Sequence, residues 1–195
     1  LEGKNIIING KLNINGSPDN KINILSHQSI SDSRWGAICF NNSTDTSSLS
    51  YLNLSGASKG LDPTIHQGSI SSINSNIKLN QIEIEDVLFP IFIKGGSVIL
   101  EQSSIKCDFV CDFINVKDGK ALIKNNIFYG SNAQDTDAID LDNVSDGIVK
   151  NNKIYHFNGY NSDGIDIGEE AENILIESNL IYHAYDKGIS VGQSS

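Results

Sequence analysis

The chain has 195 residues, 38% of them hydrophobic and 19% charged, with a formal net charge of -10. That charge excludes duplex nucleic acid as a partner, and no apolar run reaches the roughly 20 residues of a membrane helix. The abundance of Ile, Asn, Ser, Asp and Gly beside only three Pro favours short strands joined by many turns, with little helix.

Taken from the amino end, the first alternating segments are "KLNING" (11–16) and Ile38-Cys39-Phe40. Residues 60–72 fit no regular pattern. From there two series run to the end. The first reads Asn80-Gln81-Ile82, Ser103-Ser104-Ile105, Asn125-Asn126-Ile127, Asn152-Lys153-Ile154 and Asn179-Leu180-Ile181, in steps of 23, 22, 27 and 27 residues. The second reads Ile91-Phe92-Ile93, Ile114-Asn115-Val116, Ile139-Asp140-Leu141, Ile165-Asp166-Ile167 and Ile189-Ser190-Val191, in steps of 23, 25, 26 and 24. Ile38-Cys39-Phe40 fits the second series two turns before Ile91.

Within each unit apolar and polar residues alternate, the period of a strand with one buried face. No single unit can bury that face. Stacking the units one strand spacing apart, about 4.8 Å, does. The expected fold is therefore all-β: a parallel β-helix of roughly seven turns of 22–27 residues, spanning 1–195 as a single domain. An antiparallel β-sandwich also uses short strands, but needs no such register over five units. Asn125, Asn152 and Asn179 are expected to form a side-chain ladder at one turn.

With the isoleucines inside, Phe92, Asn115, Asp140, Asp166 and Ser190 should point to solvent. Lys94, Lys117, Asp142, Gly168 and Gly192 form the column two residues on. Asp112, Asp137, Asp163 and Lys187 precede the strands, with Asp186 beside the last; Asp137, Asp163 and Asp186 read as turn formers. Asp140, Asp142 and Asp166 are then a candidate Ca²⁺ site, since stacked carboxylates repel unless a cation or a basic neighbour intervenes. Lys117 is placed to neutralise Asp142, which should keep its pKa high. A further column gathers Tyr129, His156 and His183, with Phe128, Tyr155 and Tyr182 beside it. It suits packing, the lining of a sugar-binding groove, or metal and proton chemistry at the histidines. The odd cysteine count (Cys39, Cys107 and Cys111) argues against a disulfide framework.

The pattern resembles the right-handed parallel β-helix superfamily that includes pectate lyases and the NosD-like and CASH-type repeat domains. It is most similar to the β-helix regions found beside CotH-like domains in secreted or cell-surface bacterial proteins. "KLNING" (11–16), "RWGAICF" (34–40), "SLSYLNLSGASKG" (48–60), "DGIDI" (163–167) and "DKGISVG" (186–192) carry the resemblance. It implies a secreted or cell-surface module that binds an acidic or neutral polysaccharide or a surface glycan, with Ca²⁺ as a candidate cofactor. The residues expected to contact the ligand are Asn115, Asp140, His156 and His183. The alternative it implies is a lyase or hydrolase acting on uronate-containing glycans, with Lys117, Asp142 and Asp166 as catalytic residues and the Ca²⁺ ion neutralising the uronate. No lyase signature is present, and the single Arg, Arg34, lies far from the acidic columns in sequence. A monomer is expected, with further turns or domains after the last unit of the parent chain, because Ile189 and Val191 resemble an internal pair rather than a cap.

Overall fold

The computed structural model describes residues 3–26 and 33–192. Every regular element is a strand and every strand pairing is parallel. Among the described residues no helix is long and apolar enough to cross a membrane. The chain is an all-β parallel β-helix whose turns each contribute to three strand faces.

The first sheet stacks Ile6–Ile8, Ile38–Asn41, the first half of Ile70–Asn80, the first half of Ile91–Glu101, Ile114–Lys117, Ile139–Asp142, Ile165–Ile167 and Ile189–Val191. The second stacks Asn13–Asn15, Thr46–Ser50, the second halves of the two long strands, Lys120–Lys124, Ile148–Lys150 and Leu175–Glu177. The third stacks Ile22–Ile24, Leu52–Ser55, Glu83–Glu85, Ser104–Lys106, Ile127–Tyr129, Lys153–Phe157 and Leu180–Ala184.

The register places like on like. Eight isoleucines, from Ile6 through Ile38, Ile70, Ile91, Ile114, Ile139 and Ile165 to Ile189, form one inward column of the first sheet. In the third sheet Ile24, Leu54, Ile84, Ile105, Phe128, Ile154 and Ile181 do the same. β-Branched side chains suit such stacks because they pack well on a pleated surface. The columns meet in one core, where the Phe113 and Phe157 rings lie 4.8 Å apart. At the end of the stack Ile189 and Val191 are 46% and 72% exposed.

Turn length is less regular than the sequence suggests. Ile38 does lie two turns before Ile91, with Ile70 between them. The steps from Ile6 to Ile38 and from Ile38 to Ile70 are 32 residues, the second because residues 57–69 form a long loop after the third sheet; the Ile70 to Ile91 step is 21. That loop lies on Cys39, and Gly60 has no room for a side chain against Cys39 and His66.

From the second turn on, each turn bends between the second and third sheets at a residue with positive φ: Tyr51, Gln81, Gln102, Asn125, Asn151 and Ser178, at 51° to 58°. The residue after each bend points inward. These are Leu52, Ile82, Ser103, Asn126, Asn152 and Asn179, and the amide ladder runs through the last of them. The Asn126 backbone N–H donates to Asn152 Oδ1 (3.0 Å), and the Asn152 N–H donates to Asn179 Oδ1 (2.9 Å). The ladder member is thus Asn126 and not Asn125, which is exposed and forms the bend. Aligning the isoleucines of "NNI" and "NKI" puts this turn one residue out, because Phe128, not Ile127, takes the inward place above Ile154. Ile127 is 43% exposed.

Candidate functional site

Two surfaces gather polar and aromatic side chains: the acidic columns of the first sheet and the outer face of the third.

The first-sheet columns stack as expected. Phe92, Asn115, Asp140, Asp166 and Ser190 are successive register partners, and Lys94, Lys117 and Asp142 form the next column. They do not, however, all face water. Phe92, Asn115 and Asp140 are 2%, 4% and 9% exposed, while Asp166 and Ser190 are half-buried. The chain entering each first-sheet strand covers the outward slot. Phe89 packs edge-on to Phe92 at 6.2 Å, Ser71 bonds back to Gly68, and Asp112 accepts from Asn115 Nδ2 at 3.1 Å. Alternation identifies which residues leave the core, but it cannot show that a loop folds over them.

Inside this cover, Asn115 Nδ2 also donates to Asp140 Oδ2. Asp140 Oδ1 and Asn115 Oδ1 are buried without a partner. Burial foremost, then the like charges of Asp112, Asp142 and Asp166, lift the Asp140 carboxyl to about 8 against the pull of Lys117. Asp137 rises to about 7, also chiefly through burial, and Asp112 and Asp163 shift the same way for the same reason. At neutral pH, Asp140 is therefore mostly the neutral acid.

Asp112, Asp137 and Asp163 each brace the next turn. Their Oδ1 atoms accept the backbone N–H of Asp137 (3.4 Å), Asp163 (2.6 Å) and Lys187 (2.7 Å). The turn-forming role read for Asp137 and Asp163 thus takes the form of a carboxylate ladder, while the Asp186 carboxylate pairs with Lys187.

Lys117 Nζ pairs with Asp142 Oδ2 at 2.6 Å. Burial works against the ammonium, but the Asp142 hydrogen bond and the charges of Asp142, Asp140 and Asp112 outweigh it and hold its pKa above the ordinary value. A protonated Lys117 has no lone pair with which to remove a proton. Gly168 stands one rung above Asp142, and a Cβ there would lie 2.0 Å from Asp142 Oδ1, so the glycine leaves room for this pair. Among the described residues no group of three or more His, Cys, Asp or Glu is arranged to hold a metal ion. Arg34 is also committed: it bonds Asp86 Oδ1 at 2.6 Å and Asp86 O at 2.5 Å, under the Phe109 ring.

The third sheet presents a different surface. Its outward column is Tyr129, Tyr155 and Tyr182, in register. This corrects the expected columns: Tyr129 aligns with Tyr155 and Tyr182 rather than with His156 and His183, and Phe128, expected beside Tyr155 and Tyr182, is fully buried in the column of Ile154. Tyr155 and Tyr182 stack at 5.1 Å and 11°, and Tyr129 meets Tyr155 edge-on at 5.1 Å. Lys153 Nζ sits 4.7 Å from the Tyr155 ring centre and Lys106 Nζ 5.8 Å from that of Tyr129, both in cation–π range. His156 and His183 follow in the next position, with φ of 68° and 56°, and their Nδ1 atoms are 3.3 Å apart. Below the tyrosines the same face forms a groove of about 560 Å³ that includes Asn53, Glu83, Glu85, Lys106, Tyr129 and Tyr155. Exposed aromatics lining a groove are the expectation from the sequence, and Tyr129 and Tyr155 do line this one; its extent toward Asn53 and Glu83 goes beyond that expectation. The signal was the polar outward column of Asn53, Glu83 and Ser104, which the irregular early turns obscured.

No protein-family model matches the chain, and no curated protein matches it. Among solved structures it is similar to two trypsin-treated variants of QnrB1, a plasmid-mediated fluoroquinolone resistance protein. The alignments cover 96% and 95% of this chain and 91% of QnrB1, at 11% identity and a TM-score of 0.28.

Proposed function

We propose that this chain is a non-catalytic glycan-binding module of a secreted or cell-surface protein, and that a neutral polysaccharide lies along its third sheet. The observation that carries this reading is the groove of about 560 Å³ running from Asn23 to Tyr155, lined by Tyr129 and by Tyr155, which stacks on Tyr182. A sugar has apolar C–H faces and a rim of hydroxyls. The groove supplies the complement: aromatic faces at Tyr129 and Tyr155, and amide, hydroxyl and carboxylate groups at Asn53, Ser55, Ser104 and Glu85. Six turns at about 4.8 Å give a track of roughly 24 Å, long enough for several sugar rings. A net charge of -10 disfavours a polyanion. Lyase chemistry lacks a base, since Lys117 is held protonated and Arg34 is tied to Asp86.

Affinity electrophoresis in gels containing xylan, mannan, β-glucan, pectin or alginate tests the proposal. At least one neutral polysaccharide should retard the protein, and Tyr155→Ala should weaken that retardation roughly five- to tenfold, about 1–1.4 kcal/mol. Unchanged mobility in every neutral gel, or a Tyr155→Ala variant that binds as tightly as its parent, overturns it.

A further inference from the structure

Cys107 and Cys111 lie on the loop that joins Ser104–Lys106 to Ile114–Lys117. Both are buried, and their sulfurs are 3.3 Å apart. Burial alone would explain two thiols packed as small apolar groups. It does not explain why both turn toward each other across a five-residue loop. A disulfide needs a sulfur separation of 2.03–2.05 Å, so about 1.2 Å of closure suffices. Residues 108–110 lie outside the sheets, and Phe109 and Val110 are 38% and 66% exposed, so the loop that carries the two sulfurs runs at the surface.

We propose that Cys107 and Cys111 form a redox couple that closes to an intramolecular disulfide when the protein meets a peroxide, tying the corner between the third and first sheets. The hydrogen bond from Cys111 lowers the Cys107 pKa despite burial, with help from Arg34, while that contact and burial raise the Cys111 pKa. Cys107 is thus the thiol assigned to react first, through its thiolate. Its sulfur takes one peroxide oxygen as the O–O bond breaks, giving a sulfenic acid and hydroxide. The Cys111 sulfur then attacks the Cys107 sulfur, and its proton leaves with the expelled oxygen as water. In total, two thiols and one hydrogen peroxide give one disulfide and two waters. Cys39 is an internal control: it is buried against Gly60 and burial pushes its thiol up to about 11.

The test treats the folded wild-type chain with hydrogen peroxide, then unfolds it in iodoacetamide and weighs it intact and as peptides. The expected result is a fall from three alkylated cysteines to one, with Cys39 carrying the label and the peptides of Cys107 and Cys111 joined with the loss of two hydrogens. Dithiothreitol restores three labels. Cys111→Ser should leave Cys107 carrying oxygen rather than a disulfide. Three labels after peroxide, or a bond through Cys39, overturns the proposal, and the wild-type result stands whether or not the variant folds.

Discussion

Asn152→Ala should destabilise the protein by about 3–5 kcal/mol and lower its Tm by on the order of 10 °C. The Asn152 side chain accepts from the Asn126 backbone N–H and from Asn126 Nδ2, and donates to Ile123 O at 2.9 Å and to Asn179 Oδ1 at 3.0 Å. Alanine leaves the Asn126 backbone donor without its acceptor, which costs about 1–3 kcal/mol, and also removes the bonds to Ile123 O, Asn126 Nδ2 and Asn179 Oδ1 and opens a cavity beside them. Asn125→Gly, one residue before the preceding ladder position, should change stability by less than about 0.5 kcal/mol, because an exposed bend at φ 58° suits glycine. Urea melts of the two variants check both values. Equal losses would place the ladder at the wrong asparagine.

The second large effect is pH-dependent. Asp140 keeps its proton to about pH 8 in the folded chain, whereas an unfolded aspartate releases it near 3.9. Between those values the native state binds more protons than the unfolded state, so stability falls as pH rises and the loss is complete above the folded value. Asp137, at about 7, adds to the same slope. Asp140→Asn removes the larger contribution. Its stability relative to the parent should rise by about 2–4 kcal/mol between pH 5 and pH 9. Denaturant melts at pH 5 and pH 9 check this. A difference from the parent that does not rise with pH would mean that Asp140 is held as a carboxylate.

The stack was legible in the sequence wherever the inward residue repeated its own type. Ile91, Ile114, Ile139, Ile165 and Ile189 announce their register, and the partners of Asp140 and Lys117 follow from it. Legibility failed where chemistry changed within a column. Phe128 stands among aliphatic residues and Ile127 faces out, so matching isoleucines moved the asparagine ladder by one position. It failed again at Asn115 and Asp140, whose outward direction was read correctly but whose burial depends on loops that carry no period. The contact between Cys107 and Cys111 is of the same kind: spacing in an irregular segment does not show which way two side chains turn.

The register of the third sheet is the claim on which the ladder, the tyrosine column and the groove all depend, and cross-linking measures it directly. In a chain with Cys39, Cys107 and Cys111 replaced by alanine, Ser104→Cys with Ile127→Cys places two exposed thiols on register partners. Ser104→Cys with Asn126→Cys places them where alignment of the isoleucines would. Oxidation should join the first pair quantitatively and leave the second reduced, with Asn126 buried in the ladder. Efficient bonding of the second pair and none of the first would contradict the account.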